Sequence, residues 1–503
     1  MKIKHTLIAL LLLAALGGAY YFVQKQPVPE QVSAIPREDL FTFKPEDVQE
    51  LTLNVSGQPT ATFRRLPPDS AAAKPAPQGE SAPQPEAQWE IVEPAGMAAD
   101  SYQIQSFVDE FASFKANPLA DDPASTQTPV WAEFALDQPV RSIKMKLKDG
   151  KTVSLDVGKD NPSGYAKYAR RNETGPVLLL DSADNKSLLE KSLFDLRDKR
   201  IMPMEINSAT RLDLRFNFGG SGPGAEEIAR ARSLGLPVRP DRLSFIRDSS
   251  GNWRLTEPTR RSDVGGATYL ATIIAGGQMH SVIEEKAGNL AQYGLERPQL
   301  RVEVHAPSGK SELLVGKMVK EGDQEYFYAM TSLRPHVFTI LRTVYDQLNQ
   351  DLEYYRNRYL FDFETSNARS VELTGPAAAK DSSSGPLRFD RRGENWVKFA
   401  TMPGTKEKPM KDAQVENFLN GVHAIRISTF TSDEANRYAA FGLDKPWLSV
   451  KVTFGENNVQ ETLLFSRMGD KFYAARQGEL AVYELSTSEP ASMEDRIKEL
   501  TAQ

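Results

Sequence analysis

Apolar and polar residues alternate along Val48-Gln-Glu-Leu-Thr-Leu-Asn-Val55 and Ala61-Thr-Phe-Arg-Arg65, the two-residue period of strands with one buried face. Gln88-Trp-Glu-Ile-Val92 keeps that rhythm up to Pro94. The period then lengthens. Ile104, Phe107, Val108, Phe111 and Phe114 share one face of a helix that Asp100 or Ser101 can cap. A second short helix is expected to lead to Leu136, where Pro139 stops it. The strand period returns in Ile143–Leu147 and Val153–Val157, which flank Lys148-Asp-Gly150, a strong hairpin signal. Tyr165–Tyr168 and Val177–Leu180 add two strands, and a helix from about Ser187 ends at Leu196-Arg-Asp-Lys-Arg200.

This order recurs twice. Arg211–Phe216, Leu243–Arg247 and Trp253–Leu255 precede a helix carrying Val264, Ala267, Leu270, Ile273 and Ile274. Val371–Leu373, Leu387–Phe389 and Trp396–Phe399 precede one carrying Val415, Phe418, Leu419, Val422 and Ile425. More strands follow each helix, so each unit reads β-β-β-α-α-β-β-β-β-α. Strands in tandem with grouped helices predict an α+β fold of three tandem repeats of antiparallel sheet with packed helices, not a doubly wound parallel sheet. The expected division is 39–206, 207–365 and 366–503, the third unit being the shortest and its final helix, 490–500, short.

A phrase marks the period. Tyr293-Gly-Leu-Glu-Arg-Pro298 returns as Phe441-Gly-Leu-Asp-Lys-Pro446 and, more loosely, as Phe134-Ala-Leu-Asp-Gln-Pro139. Its Leu falls at 136, 295 and 443, and Trp89, Trp253 and Trp396 keep nearly the same beat. A structural reading accounts for the phrase: Leu and the aromatic fill a groove, the small residue permits close approach, and Pro opens the next strand. A binding role for Asp137, Glu296 or Asp444 is the sharper alternative. The tryptophans read as core aromatics before ligand platforms. The basic runs Arg197/Lys199/Arg200 and Arg356/Arg358 suit helix C-termini, or a docking patch for a partner or for phospholipid headgroups.

Ahead of the repeats, Leu7–Val23 is 17 uncharged, mostly apolar residues between Lys4 and Lys25. That is the lower limit for a membrane span, with Tyr20, Tyr21 and Phe22 at one interface. Residues 1–24 are therefore expected to be an N-terminal transmembrane anchor, N-terminus cytoplasmic, and 25–38 a linker. A signal peptide cut near Ala15 and Gly17 is the competing reading, but the apolar run continues past Gly18.

The 61 basic and 67 acidic residues form no basic block, so no nucleic-acid partner is expected. With no cysteine, thiolate metal sites, iron–sulfur clusters, a Cys nucleophile and a lipidated Cys anchor are excluded. His5, His280, His305, His336 and His423 show no metal-ligand spacing, and Gly309-Lys310-Ser311 lacks the earlier glycine of a phosphate loop. No catalytic, cofactor or metal residue is assigned, and no enzyme activity is expected. A hydrolase using two carboxylates is a third, weaker reading, because sequence alone cannot pair them.

Taken together, the apolar N-terminus, the early-strand Trp, the three phrases and the Leu-Arg-Asp-Lys-Arg run at 196–200 resemble the domain-of-unknown-function 4340 family. The resemblance implies a bacterial envelope protein, single-pass in the inner membrane through residues 7–23 with most of the chain periplasmic. It further implies a non-enzymatic accessory role beside an ABC transporter of gliding-motility-like type, with the permease or auxiliary extracytoplasmic subunit as partner. The alternative is a periplasmic glycan- or peptidoglycan-binding module using the early-strand tryptophans.

Overall fold

A computed structural model describes residues 38–67, 87–118, 131–217, 240–378, 386–399, 407–433 and 435–501. The expected anchor (1–24), most of the linker (25–38) and much of the insert at 66–88 lie outside the described residues. Among those described, no helix is long and apolar enough to cross a membrane. The chain divides into two units, Met1–Lys199 and Arg200–Gln503. The first holds one antiparallel sheet and the second holds two, so three sheets with packed helices give the expected α+β class.

One topology is used three times. The second sheet shows it without additions. Its strands run, in chain order, Arg211–Phe216, Arg242–Arg247, Trp253–Glu257, Ser281–Glu284, Leu300–Ala306, Gly309–Glu321, Gln324–Thr331 and Val337–Leu341. In space they lie third, second, first, fifth, sixth, seventh, eighth, fourth. The first and third sheets repeat this order, each with a ninth two-residue strand at one edge, Glu38–Asp39 and Lys408–Pro409. Each sheet with its helices is called a module below. The third has the full set of strands, and its closing helix, Glu489–Thr501, is 13 residues long rather than short.

The fourth strand corrects the sequence expectation. After each main helix the chain forms a four-residue strand that the expected β-β-β-α-α-β-β-β-β-α order lacks, Lys115–Pro118, Ser281–Glu284 or Thr429–Ser432, and the second helix expected to lead to Leu136 is only a 3-10 turn. A single 3-10 turn follows, Trp131–Phe134 in the first module. The module therefore reads β-β-β-α-β-β-β-β-β and then its closing helical segments. The fourth strand pairs with the eighth at the far edge of the sheet.

The main helices form where the 3.6-residue period predicts. Ser101–Ala112 is capped by the Asp100 carboxylate, which accepts from the Gln103 N–H at 3.0 Å and so satisfies one of the open amides of the first turn. Its buried stripe of Ile104, Phe107, Val108 and Phe111 covers Leu51, Phe63, Ile143, Met145 and Leu155 of the sheet. Each such side chain withdrawn from water stabilises the module by about 1.5–3 kcal/mol. Asp263 caps Val264–Gly276 in the same way. The lead-in residues Leu40 and Phe41 join the first core, and the matching Leu360, Phe361 and Phe363 join the third.

Candidate functional site

The phrase comes first because it recurs. In each module a 3-10 turn carries the aromatic, and the next residue has positive φ: Ala135 at 54°, Gly294 at 72° and Gly442 at 68°. Left-handed backbone suits Gly, while Ala135 carries a Cβ there at a cost. The turn drops Leu136, Leu295 and Leu443 into the interior, each 0–1% exposed. The aromatic meets a tyrosine of the seventh strand edge-on: Phe134 on Tyr168 at 4.7 Å, Tyr293 on Tyr328 at 5.0 Å, and Phe441 on Tyr473 at 5.0 Å. Asp137, Glu296 and Asp444 all point to solvent. The phrase is a structural joint in each module.

Its receptor is a second repeated phrase that the sequence reading passed over. The aromatic's carbonyl presses against the sixth strand at Gly158 and Gly316, where any Cβ would collide with the Phe134 or Tyr293 carbonyl. A register shift interrupts both strands here. The third module has Ser466 instead, whose hydroxyl donates to the Phe441 carbonyl. Val157-Gly-Lys159, Val315-Gly-Lys317 and Phe465-Ser-Arg467 keep the period of the leucines, and that was the available signal.

Trp89, Trp253 and Trp396 are 4%, 4% and 0% exposed. Trp89 donates from Nε1 to Gln105 at 3.3 Å under the Arg65 guanidinium. None of the three offers a ring to a ligand.

The outward face of the second sheet carries a close group of metal-ligand types. Asp213 and Glu303 face each other across paired strands, and their carboxylates lie within 4.8 Å of each other and of the His305 ring. Cations already occupy them. Arg211 holds Asp213 with both forks at 2.9–3.0 Å, and Arg242 adds a bond at 3.2 Å. His305 Nε2 sits 3.1 Å from Asp213, and Arg215 and Lys310 each lie 3.6 Å from Glu303. Burial works against the charge on Asp213, but hydrogen bonds from Arg211, Ser244 and Arg242 hold its pKa at about 2. A divalent cation here would have to displace guanidinium groups, so the group reads as an ion lattice. The first sheet solves the same problem with one buried pair. Asp156 takes a bond from Arg170 at 2.8 Å and one from Ser142 at 2.7 Å.

A cleft of about 390 Å³ lies between the second and third modules. Thr259, Arg260, Arg261 and Arg356 line one side, and Phe430, Glu479, Leu480 and Tyr483 line the other. Arg356, 4% exposed, forks onto Asp433 at 2.8 and 3.2 Å and lies over the Phe430 ring at 3.8 Å. Arg261 forks onto Asp362 and donates to the Tyr359 carbonyl at 2.6 Å. Arg358 donates to the carbonyls of Ile427 and Ser428 at 3.1 Å. On the far side, Arg476 gathers Glu461, Glu479 and Asp362 and donates to the Leu360 carbonyl at 2.6 Å. Burial opposes the Arg476 charge, but those acids keep its pKa above the ordinary value. Burial, reinforced by Glu479, pushes the Tyr483 hydroxyl well up. Arg356 and Arg358, expected at a helix end, are thus consumed by a clasp to the next module. Arg197 is likewise buried, at 3% exposed.

This is a protein of serially repeated α+β modules, the last two fastened by ionic contacts, with no recognisable catalytic constellation among the described residues. The chain belongs to the family described as domain of unknown function (DUF4340), whose model matches residues 89–235, 253–438 and 396–501. The three matches begin at Trp89, Trp253 and Trp396, so the family unit is the repeat. No curated protein and no solved structure matches the chain.

Proposed function

We propose that this chain is a non-enzymatic scaffold of the bacterial envelope, held in the inner membrane by residues 7–23. In this reading its periplasmic modules bind the membrane or extracytoplasmic subunits of an ABC transporter of gliding-motility-like type. The observation that carries the scaffold half is how the repeated residues are used. The Leu, aromatic and Trp of every module go into packing, so the features shared by all three modules serve the fold and not a site. Serial modules with differing outer faces suit an extended protein-binding surface. The apolar stretch at 7–23 supports the anchor. The transporter half rests on the resemblance drawn from the sequence. Burial of all three tryptophans leaves the glycan-binding alternative without its motive.

The test is cross-linking in intact cells followed by purification of the full chain from membranes. Recovery of an ABC permease or its extracytoplasmic partner is the expected result. Their absence, with the chain itself recovered intact from the membrane fraction, overturns the transporter assignment.

A further inference from the structure

We infer that a pocket at one end of the third sheet binds a phosphomonoester of a hydroxyl-bearing group, its phosphate held between Arg369 and Arg391. The first ground is a difference between modules. The second strand of each sheet carries, near its end, an arginine that holds the lead-in 3-10 turn. Arg65 donates to the Pro45 carbonyl at 2.8 Å, Arg247 to that of Asn207, and Arg391 to that of Ser366 at 2.8 Å. The first strand lies antiparallel beside it, with Glu50 opposite Arg64, Arg211 opposite Ile246 and Ser370 opposite Asp390. One step further, the residue opposite the arginine is Gln49, Thr210 or Arg369. Two modules thus give the arginine a neutral neighbour, and the third gives it a second arginine. Like charges facing each other across paired strands are destabilising. Arg369 is exposed, and among the described residues neither it nor Arg391 pairs with an acid. Asp390, next to Arg391 in the chain, is held by Arg388 at 3.0 Å.

The second ground is aim. The ladder between Ala368–Thr374 and Leu448–Phe454 shifts register between Ala368 and Ser370, which leaves Arg369 as the extra residue of a bulge. A bulge re-aims a side chain, and Arg369 here lines a pocket of about 470 Å³ together with Arg391.

The third ground is the chemistry of the pocket wall. Arg369 and Arg391 are its cations and Glu456 is its acid, so two positive charges face one negative. A phosphomonoester dianion presents three oxygens and can take a fork from each guanidinium. A carboxylate, with one charge and two oxygens, would satisfy only one of them. Ser366, Asn367 and Glu456 offer hydrogen bonds to hydroxyl groups beside the phosphate. All of these residues belong to the third module, so the inference stands apart from the transporter assignment.

The experiment is calorimetric titration of the full chain with glycerol 3-phosphate, glycerol and inorganic phosphate at matched ionic strength. Glycerol 3-phosphate is expected to bind, with inorganic phosphate at least about tenfold weaker and glycerol not binding. Arg369→Gln recreates the neutral neighbour that Gln49 provides in the first module. It should weaken glycerol 3-phosphate binding at least about tenfold while the melting temperature of the unliganded chain holds or rises. Glu456→Gln, a second exposed change, should narrow the preference for glycerol 3-phosphate over inorganic phosphate. A flotation arm with phosphatidate vesicles, against phosphatidylcholine vesicles, identifies the source: stronger retention on phosphatidate assigns the ester to a lipid headgroup, and equal retention assigns it to a soluble ester. Either result supports the site once glycerol 3-phosphate binds. Undiminished binding in Arg369→Gln overturns it, as does no binding of glycerol 3-phosphate. Inorganic phosphate matching the ester shows an adventitious ion only and also overturns it.

Discussion

The groove that receives Tyr293-Gly-Leu295 and the clasp around Asp433 lie in one unit and are built of opposite materials. The groove is apolar and occurs in every module: a buried Leu and an aromatic edge-on to a tyrosine, with the sixth strand cut back to glycine in the first two modules where the turn's carbonyl must approach. The clasp is ionic. It joins unlike surfaces, arginines of one module with acids of the next. Apolar burial pays no desolvation penalty and tolerates repetition, so it makes the module. Ion pairs need their partner in place and fix geometry more than they add stability, so they set how modules face each other. Changes to the groove should therefore unfold a module, and changes to the clasp should loosen a joint.

The largest effect is expected for Leu295→Ala. Removing a 1%-exposed Leu forfeits its burial and leaves a cavity, costing about 2–5 kcal/mol in urea unfolding. A Glu296→Ala control, at the exposed acid of the same phrase, should cost far less, and equal costs would contradict the core role of the phrase. Gly316→Ala comes next. Its Cβ would collide with a backbone carbonyl that cannot rotate away, costing about 1–3 kcal/mol.

Acid should reach the second sheet through Asp213. Its native pKa is about 2 against an ordinary 3.8, so its contribution is complete above pH about 4 and is lost as pH falls through 2. The stability at stake is on the order of 2 kcal/mol. Asp213→Asn should flatten the acid limb of the stability profile in that window, and an unchanged limb would place the acid sensitivity elsewhere. Arg356→Gln tests the clasp. Asp433 keeps Arg260, so the loss is smaller than for a stranded buried charge, about 1–2 kcal/mol. Its signature is geometric: small-angle scattering of the variant should show a wider distribution of shapes while the melting of the module cores is unchanged.

Much of the module was legible. The strands up to each main helix, the helix face (except Val264, which is 39% exposed), the hairpin at Asp149-Gly150 and the burial of Leu136, Leu295 and Leu443 all follow from local period and turn chemistry. The fourth strand was not. Four residues directly after a helix carry too few alternations to register, and their pairing partner, the eighth strand, lies some 50–60 residues on. The Gly158 and Gly316 receptor was hidden because a glycine's role there is set by a carbonyl from another element. The clasp was half legible. Arg356 was visible as a repeated cation, but Asp433 is 77 residues away and nothing local ties them.

The smallest and sharpest test exploits the one place where the groove differs between modules. Ser466, 2% exposed, stands where the other two modules have glycine, and its hydroxyl reaches the Phe441 carbonyl that would otherwise face an empty site. If the three grooves share one geometry, Ser466→Gly leaves the backbone as it is and costs only that hydrogen bond and some chain entropy, about 1 kcal/mol. The reverse change is not symmetrical. Gly316 lies so near the Tyr293 carbonyl that Gly316→Ser must push the strands apart before any hydroxyl bond can form. It should cost at least as much as Gly316→Ala. A mild Gly316→Ser beside a severe Ser466→Gly would mean that the third groove is a different joint, closed by a hydrogen bond and not by close approach, and the sorting of apolar groove from polar clasp would then fail in that module.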